Sequence, residues 1–355
     1  MTRATYALVG TRTTARRGTG PGIVVYEVVD NAWVHRSTTT ATNPGFLASH
    51  PDVPVVYAAH GDGTTVSAFR LGEAGQLELI NDVSTEGTNP AHITISPDGN
   101  HLLGINHTSG SLFSIALNAN KSLGELVQVH HFDGEPGPHR TDQPGSKPHQ
   151  VVFSPDGKLV IVPDKGLDVV HLGDFHEADG TVEFTRSIRL REFSGPRHVA
   201  VHPTLPVVYA INELSSTVAV ISFADGEVKQ YLSTLNDTDV RDSRGAGIAI
   251  NAAGTHLYAS NRSGAGDHMP PGPGNDTIAH FHIRSDGLLS LGEIPTVQGQ
   301  RPRFIALNND DENLLVAMEK SAQIHALSLD PSGSIVEEKV LADVESPVCV
   351  IFHTV

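Results

Sequence analysis

A unit of sequence recurs along this chain about every fifty residues, and that period restricts the fold more than any other feature. Each copy opens with a Pro or a small residue, runs through alternating apolar positions, turns, and repeats the alternation. Four copies read NPGFLASHPDVPVVYAAHGDGTTVSAFRL from Asn43, NPAHITISPDGNHLLGINHTSGSLFSIAL from Asn89, KPHQVVFSPDGKLVIVPDKGLDVVHLGDF from Lys147 and GPRHVAVHPTLPVVYAINELSSTVAVISF from Gly195. A looser copy, RGAGIAINAAGTHLYASNR, starts at Arg244, and RPRFIALNNDDENLLVAMEKSAQIHALSL starts at Arg301. Alternation over four to eight residues marks half-buried strands. The SPDG in two copies is a turn signal: Pro presets φ, Asp bonds its own backbone, and Gly accepts φ > 0. Each copy therefore predicts strand A, a tight turn, strand B, a short turn, strand C and a more variable strand D. Repeats of this length and content make a β-propeller. A β-sandwich or a two-domain β protein would not explain the period.

The last copy, SPVCVIFHTV from Ser346, carries only strand A, placed at 348–353. The rest of that blade is expected from the other end of the chain, with TYALVGTR from Thr5 as strand B and GIVVYEVV from Gly22 as strand C. Six internal copies plus this shared blade give an all-β, seven-bladed propeller spanning residues 1–355 as one domain. The shared blade closes the ring, so no sheet edge stays open within it.

Composition narrows the function. Twenty-four Lys and Arg against 40 Asp and Glu give a net charge of −16, which argues against a nucleic-acid surface and more weakly against anionic membranes. One cysteine, Cys349, excludes an intramolecular disulfide, a CxxC redox site and a multi-Cys metal site. There is no apolar run long enough for a secretory signal or a membrane helix, so a soluble, cytoplasmic protein is expected, monomeric because a closed ring needs no partner. Twenty His residues include no HExxH and no His pair beside a carboxylate at metal spacing. No metal and no cofactor is expected. Walker, dinucleotide and GxSxG patterns are absent as well.

In a propeller, strand A lines the channel and B runs antiparallel beside it, so A-starts and B-ends share one mouth. Several polar residues fall there. His149 opens strand A of blade 3, after Lys147-Pro148, and Arg197-His198 open that of blade 4. Asn212-Glu213 end strand B of blade 4, and Asn261-Arg262 end that of blade 5. Arg303 opens strand A of blade 6. Such a set binds an anion through Arg forks and moves a proton through His or Glu. Inter-blade salt bridges that merely hold the ring are the competing explanation. Two long loops, 130–146 and 263–276, leave from the same face, as lids and binding loops often do.

KPHQVVFSPDGKLVIVPDKGLD, GPRHVAVHP, YAINELSSTVAV, LYASNR and RPRFIALN together resemble the seven-bladed lactonase family, which includes propeller-type 6-phosphogluconolactonases and carboxymuconate cyclases. The resemblance covers nearly the whole chain. It implies a site of four residues, His149, Arg197, Glu213 and Arg262, which are among those that the repeat geometry gathers. The chain departs from the family where GAGIAIN, before SNR, lacks a His that relatives often carry.

The resulting expectation is hydrolysis of a sugar lactone, 6-phosphogluconolactone or a related aldonolactone. Glu213 or His149 would take a proton from water, and Arg197 and Arg262 would hold an anionic group or the oxyanion. Arg303, Lys147, His198 and Asn212 are further substrate-binding candidates. A lactone-forming cycloisomerase would use the same groups. A non-enzymatic scaffold is a third possibility, weakened by an aromatic content of only 5%.

Overall fold

The computed structural model describes residues 4–30, 32–236, 243–263, 276–308 and 310–355. They form seven four-stranded antiparallel sheets and no helix, so no helix is long and apolar enough to cross a membrane. Blades 1 to 6 each follow the chain order A-B-C-D. In blade 7 the strand Pro347–Thr354 pairs with Thr5–Thr11, which continues to Ile23–Val29 and Ala32–Thr39. The ring is closed as the sequence predicts, with Thr5 opposite Thr354.

The apolar positions of strands A, B and C bury themselves between neighbouring blades. Between blades 4 and 5, Tyr209, Ile211 and Val220 pack with Leu257, Ala259 and Phe281. Strand D lies outermost and is largely wet, as in Ile335–Asp343. A repeated tyrosine ties blade to blade. In strand B, Tyr57, Tyr209 and Tyr258 each donate a hydroxyl hydrogen bond to a backbone carbonyl in the C–D turn of the next blade, at Lys121 (2.6 Å), Gly287 (2.9 Å) and Gly333 (2.7 Å). Tyr6 does the same across the closing seam, to Glu73. A buried phenol needs such a partner.

The start of strand A positions the site. A residue with φ near +40 to +60° precedes a proline in five blades: Asn43-Pro44, Asn89-Pro90, Gly195-Pro196, Arg301-Pro302 and Ser346-Pro347. The residue after that proline is then skipped by the ladder. Pro196 faces Asn212 and His198 faces Ile211, leaving Arg197 bulged; Arg303 is bulged in the same way. A bulge re-aims a residue, and here it turns one toward the channel in each of these five blades.

Strand A of blade 3 departs from the expected pattern. Only Val152–Phe153 pair as a strand, with an isolated bridge at Pro148. The reason is local: the Val151 N–H turns toward His92 Nδ1 (3.5 Å), and the Gln150 side chain accepts from the Val199 N–H (2.6 Å). These residues bond across blades instead of along the ladder.

Candidate active site

The bulged residues meet at one mouth of the channel. Gly45, Ala91, Arg197, Arg303 and Val348 all line a cavity of about 370 Å³ there, and His149 occupies the same place in blade 3. Only three of these six carry chemistry. Blade 5 has Gly245-Ala246-Gly247 instead, and its missing side chains expose the backbone. The Ala246 carbonyl accepts from Arg197 Nη1 (2.7 Å), and the Gly245 carbonyl from Arg262 Nη2 (3.4 Å). A Cβ on Gly245 would sit 2.8 Å from the Asn212 carbonyl, so this close approach requires glycine.

A second set follows the end of each strand B. The N–H of each of these residues donates to the carbonyl of the residue before the strand-A proline: Arg12 to Ser346, His107 to Asn89, Lys165 to Lys147, Glu213 to Gly195 and Glu319 to Arg301. From blade 3 round to blade 7, with Arg262 in the blade-5 place, the side chains alternate in charge. Lys165 Nζ lies 2.7 Å from Glu213 Oε1, Arg262 Nη2 lies 3.3 Å from Glu213 Oε2, and Arg12 Nη1 lies 3.1 Å from Glu319 Oε1. Arg197 Nε, from the bulged set, comes within 3.2 Å of Glu213 Oε2. Burial would raise the Glu213 pKa, but Lys165, Arg262 and Arg197 overcome it and hold the carboxyl well below the usual carboxylate range.

His149 has different surroundings. Its ring lies 5.0 Å from His107 and 5.1 Å from His198, and its Nδ1 is buried with no hydrogen-bond partner among the described residues. Burial, with Arg197, His107, His198 and Arg303 nearby, pushes its pKa well below 6.5. His198 is lowered for the same reasons, burial first and Arg197 next. His107 falls to about 4, mainly through burial; its Nδ1 donates to the Pro148 carbonyl (3.0 Å). The channel histidines are thus neutral at pH 7.

Most residues named from the sequence line this cavity: His149, Arg197, Glu213, Arg262, Arg303, Lys147 and His198. Asn212 does not. It is fully buried with Nδ2 on Thr217 Oγ1 (2.9 Å), a strand-end tie. Asn106 and Asn261 occupy the same place in blades 2 and 5, bonding Thr85 and Ser111, and Thr234 and Thr277. Asn212 is therefore read as part of the blade, not of the cavity wall. Sequence reading missed Arg12, His107, Lys165 and Glu319, although each follows strand B in its repeat. It also missed Asp142, which the first long loop carries into the wall, 3.2 Å from Lys165 Nζ and 2.9 Å from Arg244 Nη1. Gln143 anchors that loop by donating to the Lys165 carbonyl (2.9 Å). Residues 264–275 of the second loop lie outside the described residues.

Among the described residues the cavity wall holds eight Lys and Arg against three Asp and Glu, in a chain of net charge −16. Arg303 and Lys147 face it without a hydrogen bond or ion pair to their side chains among the described residues. Residues 6–352 match the family described as Lactonase, 7-bladed beta-propeller. The chain belongs to the seven-bladed β-propeller lactonase family. Its relatives include a 6-phosphogluconolactonase from Formosa agariphila, 30% identical, with 89% of this chain and 90% of that protein covered. Another is the 6-phosphogluconolactonase of Bacillus subtilis, 27% identical, with 87% of each covered. A Bacteroides fragilis structure, provisionally assigned as a 6-phosphogluconolactonase, superposes with a TM-score of 0.86 at 26% identity, over 99% of this chain and 98% of that one. As a member of this family the protein is a lactonase.

Proposed function

We propose that the protein hydrolyses a phosphorylated sugar lactone, 6-phosphogluconolactone first among them. One observation carries this: a strongly cationic cavity in an acidic protein, with Arg303 and Lys147 left without an acidic side-chain partner among the described residues. A dianionic phosphate suits such groups. The names of the Formosa and Bacillus relatives support the same substrate.

In this mechanism water attacks the lactone carbonyl while His149 takes its proton. Arg197 faces the developing oxyanion, held by its bond to Ala246. The tetrahedral intermediate then collapses, the ring C–O bond breaks, and the leaving alkoxide recovers the proton from the His149 imidazolium. Glu213 is a poor base, since protonating it would leave Lys165, Arg197 and Arg262 unbalanced. Its role is to position those three cations. The substrate's own negative charge offsets the cations around His149 and raises its basicity when it is needed.

The test is hydrolysis of freshly made 6-phosphogluconolactone, coupled to 6-phosphogluconate dehydrogenase and compared with the spontaneous rate. The wild type should exceed background, and Arg303→Ala should raise KM far more than it lowers kcat. A wild-type rate equal to background would reject the phosphosugar; a normal rate on unphosphorylated gluconolactone would then redirect the substrate.

A further inference from the structure

The face of the ring away from the cavity carries a second cluster of functional groups, at the far end of blade 5. His256 is the first residue of strand B (His256–Ser263), whose seventh is Arg262, so at about 3.3 Å per residue the two lie about 20 Å apart. His256 sits directly opposite His282 on strand C (Thr277–Ile283). His280 is two residues before His282 and therefore shares its face of the sheet. One ring nitrogen of each lies within 4.8 Å of the other two. His256 Nδ1 and His280 Nε2 are 3.1 Å apart, close to the spacing of two nitrogens on one tetrahedral ion.

Space is kept open around the three rings. A Cβ on Gly333, from the next blade, would sit 2.5 Å from His256 Nδ1 and 2.8 Å from His280 Nε2. A Cβ on Gly292 would sit 3.0 Å from His280 Nδ1 and 3.2 Å from His282 Nε2. His280 is fully buried and stacks on Tyr258 at 5.0 Å, which fixes its plane. Its Nδ1 has no hydrogen-bond partner among the described residues. If Nε2 holds the proton shared with His256, Nδ1 is a bare buried lone pair; if Nδ1 holds it, a buried donor is unsatisfied. Ligation of an ion through Nε2 fixes the ring proton on Nδ1 and so selects one of these two tautomers.

We propose that His256, His280 and His282 bind one divalent transition metal, with Zn²⁺ as the preferred ion. Three imidazoles with solvent on the His282 side suit a borderline ion that keeps a water ligand, and exclude the oxygen-seeking Ca²⁺ and Mg²⁺. The buried His280 holds its place while the exposed His282 closes onto the ion.

The test uses the full-length protein, stripped with EDTA and dialysed, then titrated with Zn²⁺ by calorimetry and with Co²⁺ by visible absorption. The expected result is one ion per chain and nitrogen-type Co²⁺ bands. Affinity should fall at least ten-fold in both His282→Ala and His256→Gln. His282 is exposed, so its variant folds like the parent, and circular dichroism checks this for both. No stoichiometric binding would overturn the proposal. So would parent-like affinity in both variants, which would place the ion on others of the 20 histidines. Neither outcome bears on the lactone assay.

Discussion

Four cations, Lys165, Arg197, Arg262 and, at 4.0 Å, Arg244, surround the Glu213 carboxylate, whereas the groups that act on His149 are cations and other imidazoles. The two residues should therefore fail differently when changed. Glu213→Gln leaves Lys165, Arg197 and Arg262 facing one another, and breaking a buried ion network of this kind costs about 3–5 kcal/mol. A large drop in the urea midpoint is expected. His149→Asn should leave that midpoint nearly unchanged and lower kcat by about 10²–10⁴-fold, the usual range for losing a general base. The pH dependence has a definite sign. The unprotonated His149 is the active form, and its pKa is depressed in the free enzyme, so kcat/KM should stay flat through neutrality and fall only well below pH 6.5. Arg303→Gln removes one of the depressing charges, so the acid limb should move up toward 6.5. A limb that stays in place would show that His149 is not the base.

Strand A and the turn before it explain what the sequence could and could not reveal. Alternation and SPDG turns display the strands, and the Pro-Arg and Pro-His pairs display the residues that each bulge aims inward. His149, Arg197 and Arg303 were legible for that reason. The residues after strand B were less so, because Arg12, Lys165 and Glu319 share a place in the repeat but not a residue type. Asn212 misled because a strand-end tie and a binding residue look alike in sequence; only its bond to Thr217 distinguishes them. Asp142 arrives on a loop with no repeat to predict it. His256 and His282 are separated by 26 positions and meet only through strand pairing, although the His-x-His at 280–282 places two rings on one face. Two element-level outcomes follow. Gly245→Val should push blade 5 from blade 4 at Asn212 and loosen Arg197 and Arg262, raising KM as well as lowering kcat, measured by steady-state kinetics. Tyr258→Phe deletes one blade-to-blade bond to Gly333 and should cost about 1 kcal/mol by denaturant melts, with kinetics unchanged.

At the scale of the whole ring, the charge of the mouth opposes the charge of the body. Substrate attraction should weaken as salt screens it, so KM should rise between about 0.01 and 0.15 M ionic strength while kcat holds, as the Debye length shortens from about 30 to 8 Å. A KM that ignores salt would mean that the cations act only as structural ties. The closing seam has a different consequence, which concerns the birth of the molecule. Thr5 and Thr354 are neighbours in one sheet, yet 349 positions separate them along the chain. On the ribosome the strand Thr5–Thr11 emerges long before its partner. For all that time this strand presents unmet N–H and C=O groups to every other chain nearby. Faster translation between them, or a chaperone that covers that strand, should raise the yield of native enzyme more than any change within the six blades that fold from neighbouring sequence.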